Sequence, residues 1–453
     1  MRDNRIKRGF IYRLTNRYAP PKAMLAVAFL VSLASCPAPA AAERPFGSLD
    51  RDQSAYALGS FAMNIIFVES NGVVDTNQEN WTPEQLTNMH VEIGQTAAYW
   101  ESLTAAYHPN AQLDITVNYV NGGVPLETRY EPINRPGVSS SPLWMNDVMD
   151  TLGYSNANSN TNTRDFNNAQ RDLLGTHWAA TVYVVNDAVD SNHKFTDNYF
   201  AFSIYGGPYV VTTYNNNGWG VDRYDRVLSH ELGHVFFALD EYYSSGSRTT
   251  DRSGYLNGSN GNAERNGVGA RVTPPQPDAL MLNITLDPSE FTSVQVGHVD
   301  TDNDTIPDIL DTIPNFFGSD AASDADAGIF SFSGSGSVRP KANLNPKVWA
   351  ESGARMTINT IDGGSYNLDG LGWIDFPAAD GAWGDYSESI ELDLLGLDVG
   401  LHTIDLRITN SVGNHSAVDS YELFVTPEPG TLGIVCLGLL GCLRRRRKTN
   451  RPT

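Results

Sequence analysis

At 453 residues the chain is longer than one ordinary domain, and 41% hydrophobic residues are enough to bury real cores. Its net charge of −21 is unevenly spread: residues 1–42 and the end from Arg444 onward each carry a net +6, which leaves about −33 for the body between them. So acidic a body repels nucleic acid and anionic membrane surfaces, attracts divalent cations, and excludes a DNA-binding role. The three cysteines, Cys36, Cys436 and Cys442, lie in apolar terminal segments, so no disulfide staples the body and its stability must come from packing and bound metal.

The first 22 residues are basic, and an apolar run from Ala23 to Ala34 follows, ending in the small-residue stretch Ala40-Ala41-Ala42. This is the three-part pattern of a secretory signal peptide over 1–42, with cleavage expected after Ala42. Leu33-Ala34-Ser35-Cys36 also has the form of a lipoprotein box, which would instead place a lipid on Cys36.

Residues 61–68 form an apolar run expected to be a buried strand. Thr82-Pro83-Glu84-Gln85 combines a capping Thr, Pro at the first helical position and Gln at the capping-box position. The helix it opens is expected to reach about Tyr107, with Leu86, Met89, Ile93, Ala97 and Trp100 on one face. Leu113–Val120 alternates as a strand, Pro142–Leu152 reads as a helix, the Asn/Ser/Thr-rich residues 155–168 as a loop, and Ala180–Val185 as a buried strand. Phe200–Tyr214 reads as two strands about Gly206-Gly207-Pro208, with the edge strand near Tyr209–Thr213. A helix begins at about Asp225. This order suits an α/β layered domain over 43–290.

On that last helix stands His230-Glu231-Leu232-Gly233-His234. Positions i and i+4 share a face one turn apart, so both imidazoles can grip a single zinc ion (Zn2+), while Glu231 is turned aside, free to act as general base on an activated water. A catalytic zinc usually takes a third protein ligand. Asp240 lies six residues past His234, about 600° round a continuous helix, so it can ligate only if the helix ends near Phe237–Ala238. Glu241 and Glu264 are the alternatives.

The segment His230–Tyr242 resembles the metzincin clan of zinc metallopeptidases, more closely its members with Asp at the last position, and is similar to the bacterial immunoglobulin-A peptidase type. The sequence departs from the clan at Phe237, where a Gly is usual, and at Asp240, where a His is usual. The resemblance implies a Met-turn, for which Met281 is the candidate, and a protein or peptide substrate. Tyr242, Tyr243 and Tyr255 are candidates to stabilise an oxyanion, and the edge strand to bind an extended substrate.

Asp300, Asp302, Asp304, Asp308 and Asp311 stand at loop positions 1, 3, 5, 9 and 12, with the Ile306 carbonyl at position 7, the oxygen pattern of a calcium (Ca2+) loop. The loop resembles thrombospondin type 3 and dockerin-like repeats, departing from them at Thr305, where Gly is usual. A calcium-binding connector over 291–325 is expected, with Gly318–Ser337 as linker. From 326 to 426 short strand-like runs, including Ala354–Thr360, Ser389–Leu394 and His402–Thr409, suggest a β-sandwich. The expected fold class is therefore α+β: a zincin-like α/β layered domain followed by a small all-β sandwich.

The chain ends in Thr426-Pro427-Glu428-Pro429-Gly430, an apolar stretch Thr431–Leu443 and the basic cluster Arg444–Lys448. Residues 427–453 resemble the PEP-CTERM sorting signal of Gram-negative bacteria. That resemblance implies export, transient anchoring in the inner membrane, recognition by an exosortase-type enzyme, and delivery to the cell surface or extracellular matrix. Taken together the features point to an exported zinc metallopeptidase; the rival readings are a catalytically inactive surface or matrix binding protein, an adhesin, and a hydrolase of non-peptide amides.

Overall fold

A computed structural model describes residues 44–155, 157–347 and 354–427. The signal peptide, all three cysteines and most of the sorting signal lie outside the described residues. The elements of the first half are β1 (Gly59–Ser70), α1 (Pro83–Ser102), β2 (Leu113–Tyr119), β3 (Leu126–Thr128), α2 (Gly137–Thr151), α3 (Ser159–Leu174), β4 (Trp178–Val185), β5 (Ala201–Ser203), β6 (Tyr209–Thr213) and α4 (Tyr224–Val235). The strands form one sheet of order β2-β1-β4-β6-β5, with β3 continuing along β1. The β1, β2, β3, β4 and β6 pairings are parallel; β5 alone runs antiparallel, against β6.

Strand side chains alternate between faces, so a sheet covered on both sides reads as an unbroken apolar run. On β1, Phe61, Met63, Ile65 and Phe67 join the core with Met89, Ile93 and Trp100 of α1 and Leu228 and Leu232 of α4. Ile66 and Val68 point the other way, to Trp144 and Met145 of α2 and Phe166 of α3. The capping box at Thr82 forms as expected: Gln85 N donates to Thr82 Oγ1, and Thr82 N to Gln85 Oε1. α1 ends at Ser102, short of Tyr107, in a turn where Thr104 N bonds to Glu101 O.

Further expectations are corrected. Residues 155–168, expected as a loop, contain the start of α3, which Asn158 caps. Its polar side chains are buried and bonded: Asn167 accepts from Asn64 and from Thr181 Oγ1 and donates to Pro208 O. Gly318–Ser337, expected as linker, falls within β9 (Asn315–Asp324) and β10 (Ile329–Ser337). Tyr209–Thr213 is not an edge: β6 lies between β4 and β5, and the edge on that side is β5.

Past α4 come a short hairpin, β7 (Arg252–Ser253) and β8 (Gly258–Ser259), then α5 (Leu280–Asn283) and α6 (Glu290–Val296). Beyond β10 lie β11 (Ile361–Leu368), β12 (Trp373–Phe376), β13 (Ser387–Leu394), β14 (Gly400–Asn410) and β15 (Asp419–Val425). They make two antiparallel sheets, β13-β10-β9 and β12-β11-β14-β15. Phe330, Ile390 and Leu392 from one meet Ile361, Leu406, Ile408 and Leu423 from the other. The stretch 354–360 is not a strand but makes a bridge to the segment before β1, Phe46 to Thr357. Met356 and Ile358 join the core of the first half there. The whole is a mixed α and β structure.

Candidate metal centre

α4 is amphipathic, and all but Arg226 of its twelve residues are buried, held between the sheet and α1. It carries His230, Glu231 and His234. The two imidazole rings lie 4.9 Å apart and perpendicular. Each Nδ1 is bound to a backbone carbonyl: His230 to Leu280 O at 3.0 Å, His234 to Ala238 O at 2.8 Å. A carbonyl only accepts, so Nδ1 carries the proton, and in a neutral ring the Nε2 lone pair faces outward. Both Nε2 atoms face one oxygen, Asp240 Oδ1, at 3.1 and 3.2 Å.

Two ring nitrogens set against one carboxylate oxygen favour a positive charge there, a proton or a cation. Burial works against ionisation of Asp240, yet the two histidines outweigh it and hold its carboxyl well below the usual range. Burial likewise opposes a charge on His234, but Asp240 and Glu231 push its pKa up to about 9. A dication satisfies these groups without protonating either ring, and two imidazoles with one carboxylate are a donor set suited to zinc.

Asp240 arrives because α4 stops. Val235 is its last residue, and Phe237 takes a left-handed backbone with φ +71°, where a Gly is easiest. The Phe237 ring fills space that a side chain at Gly206 would need: a Cβ there would lie 2.4 Å from Phe237 Cζ. The reversed chain is tied by Leu239 N to Gln295 Oε1 and by Asn260 Nδ2 to Asp240 O.

The alternatives to Asp240 are engaged elsewhere. Glu241 is fully buried and accepts from Ser289, Thr292 and Asn262. Glu264 pairs with Arg271 and accepts from Tyr243 N. Met281 is fully buried under the helix, and its Sδ would sit 2.8 Å from a Cβ added at Gly233, between the two histidines. Its carbonyl accepts from Glu241 N.

Glu231 stands apart from the three converging groups and accepts a 2.7 Å hydrogen bond from Ser203 Oγ on the edge strand β5. With His230 it lines a cleft of about 420 Å³ whose wall includes Tyr199, Trp219 and Tyr242. Of the tyrosines proposed for an oxyanion, only Tyr242 stays in play, 6.3 Å from the His230 ring. Tyr243 faces the Arg265 and Arg271 guanidinium groups, and Tyr255 is buried against Met356 and Lys341. Sequence reasoning missed Ser203 and Tyr205. The Tyr205 ring packs 5.2 Å from His234, and burial pushes its hydroxyl well above the ordinary range. No spacing signal marks either residue; the fold alone brings β5 over α4.

In the acidic loop the carboxylates of Asp300, Asp302 and Asp304 converge within 4.8 Å. Asn303 and Thr305 take positive φ, so Thr305 makes the bend that Gly would make more easily. Ile306 N donates to Asp304 Oδ1. Two expected members stand outside that convergence: Asp308 accepts from Thr301 N and Oγ1, and Asp311 from Asn414 Nδ2.

Residues 425–448 match the PEP-CTERM protein-sorting motif, which marks the chain for export and surface sorting by an exosortase-type enzyme. Among the described residues no helix is long and apolar enough to cross a membrane. No curated protein is found to match the chain. Solved structures that resemble it include two crystal structures of wild-type OgpA from Akkermansia muciniphila. One is 9% identical with a TM-score of 0.30, over 82% of this chain and 93% of that one. The other is 11% identical with a TM-score of 0.26, over 82% and 94%. Catalytically inactive OgpA in complex with an O-glycopeptide substrate is 11% identical with a TM-score of 0.23, over 82% and 94%. Scores this low do not establish a shared fold.

Proposed function

We propose that the chain is an exported zinc-dependent peptidase of metzincin type, with His230, His234 and Asp240 as zinc ligands, Met281 as the residue of the Met-turn and Glu231 as general base. The observation that carries this is the convergence of His230 Nε2 and His234 Nε2 on Asp240 Oδ1 beside an unligating Glu231. Zinc, when bound, supplies a Lewis acid that acidifies water and polarises a carbonyl.

The chain's own residues do the rest. The Leu280 and Ala238 carbonyls hold both imidazoles in the tautomer that presents Nε2. Glu231, steadied by Ser203, takes a proton from a water in the cleft and returns it to the leaving amine. Tyr242, beside the His230 ring, and Tyr205, beside the His234 ring, are the hydroxyls offered to negative charge developing on the carbonyl oxygen. The free edge of β5 offers backbone groups to an extended substrate. A purely structural metal site, or an inactive binding protein, has no use for the Ser203–Glu231 pair.

In the same proposal Asp300, Asp302 and Asp304 hold calcium in a connector between the layered α/β part and the β-sandwich. The test of function is elemental analysis together with casein hydrolysis, on the wild type and on Glu231→Gln. Zinc is expected in both and hydrolysis only in the wild type. A zinc-loaded wild type that cleaves no protein contradicts the proposal.

A further inference from the structure

Beside the metal centre lies a second cavity, of about 620 Å³. Tyr205 and Phe237, which pack at the histidine end of α4, form the wall it shares with the metal centre. The cavity reaches from there to the start of α3, and Arg51, Arg164 and Lys347 line it.

That wall runs against the character of the chain. The body between the terminal segments carries about −33, yet here three cations meet one carboxylate, Asp52. Asp52 is buried and already accepts from Leu49 N. The Nε of Arg164 is buried without a hydrogen-bond partner, and among the described residues no ion pair engages its guanidinium. Burial lowers the pKa of Arg164, the charge of Asp165 raises it, and that of Arg51 lowers it again. Asn158 caps α3 at the same wall, and the helix start adds partial positive charge. The remaining polar lining includes the amides Asn160, Asn343 and Asn345. A space of this size exceeds what one small anion fills, and neutral amides suit a polar substituent that carries the charge.

We propose that this cavity is a specificity subsite for a carboxylate-bearing group of the substrate, with Arg164 and Lys347 as its charge readers. The assignment to substrate rests on the peptidase reading above. An acidic amino-acid side chain and an acidic sugar share this chemistry, and the test separates them.

Equilibrium binding is measured calorimetrically on the full chain carrying Glu231→Gln. The probes are a dodecapeptide of alternating Ala and Glu with its Ala and Gln twin, and a trigalacturonate with its neutral galactose counterpart. One acidic probe is expected to bind about tenfold tighter than its neutral twin, the size of one good charged contact. Which acidic probe does so identifies the source of the carboxylate. Adding Arg164→Gln and Lys347→Gln is expected to cut the preference to less than about twofold with the thermal midpoint unchanged. A chain of this net charge repels acidic probes in general, so the preference can come only from a local site. Equal binding of acidic and neutral probes, or a preference that survives both substitutions, overturns the proposal. Binding is read without turnover, so a wild type that fails to hydrolyse protein sinks the peptidase reading and the word substrate with it while the carboxylate preference stands, and equal binding sinks the carboxylate preference alone.

Discussion

Ser203 Oγ donates a 2.7 Å hydrogen bond to Glu231 Oε2, tying the edge strand of the sheet to the carboxylate beside the metal centre. The bond orients the proposed general base without occupying its other oxygen. Ser203→Ala is expected to lower kcat about tenfold, in keeping with one hydrogen bond to a charged group, with zinc content and thermal midpoint close to wild type. Unchanged kcat would show that Glu231 needs no such support.

Asp240 and Glu241 are neighbours to which the proposal gives opposite roles. Asp240→Ala is expected to empty the zinc site in dialysed protein with a modest loss of stability. Glu241→Ala strands the buried groups of Ser289, Thr292 and Asn262 and is expected to cost about 2–4 kcal/mol of stability, with zinc binding intact in the folded fraction. Elemental analysis and thermal denaturation on both variants check this; the reverse pattern refutes the choice of third ligand.

How much of this was legible in the chain follows from where each interaction is made. The start of α1 and the histidine helix announce themselves locally, through the capping box at Thr82 and the His230–His234 spacing. The break after Val235 was required by geometry if Asp240 was to reach the histidines, although Phe237 gives no local sign of a left-handed turn. α3 was hidden because Asn167 and Asn168 look like loop residues until their partners on β1, on β4 and in the segment before β1 are in place. β9 and β10 were hidden because Gly334 and Gly336 leave room for Phe332 and Ile408, a reason that exists only in the packed sandwich. Ser203 and Tyr205 reach the site through sheet topology, which no short motif encodes.

The Asp300 loop predicts a calcium effect away from the zinc. Chelating calcium while zinc is kept supplied is expected to speed proteolysis within residues 298–314. Asp300→Asn with Asp304→Asn is expected to make the loop sensitive with or without calcium. Cleavage mapped by mass spectrometry decides; equal protection in all samples removes calcium from the account.

Glu131 is buried beside Glu79 N, and burial pushes its pKa from 4.5 up to about 7, with the charges of Glu79 and Asp75 adding to the rise. A raised carboxyl pKa means that the folded state keeps the proton longer than the unfolded one. Stability is therefore lost as pH climbs from about 4.5 to 7, by at most about 3 kcal/mol for this group. Glu131→Gln, which mimics the protonated form, is expected to match the wild type at pH 5 and exceed its thermal midpoint at pH 8. An identical midpoint shift between the two pH values in both proteins would contradict the assignment.

The central claim is that two imidazoles and one carboxylate grip a single ion. X-ray absorption at the zinc edge, on the zinc-loaded chain, reads that shell directly. The account predicts two imidazole nitrogens and a carboxylate oxygen at about 2.0–2.2 Å, with the imidazole scattering lost in His230→Ala/His234→Ala. A shell without imidazole, or one unchanged in the double variant, would contradict it.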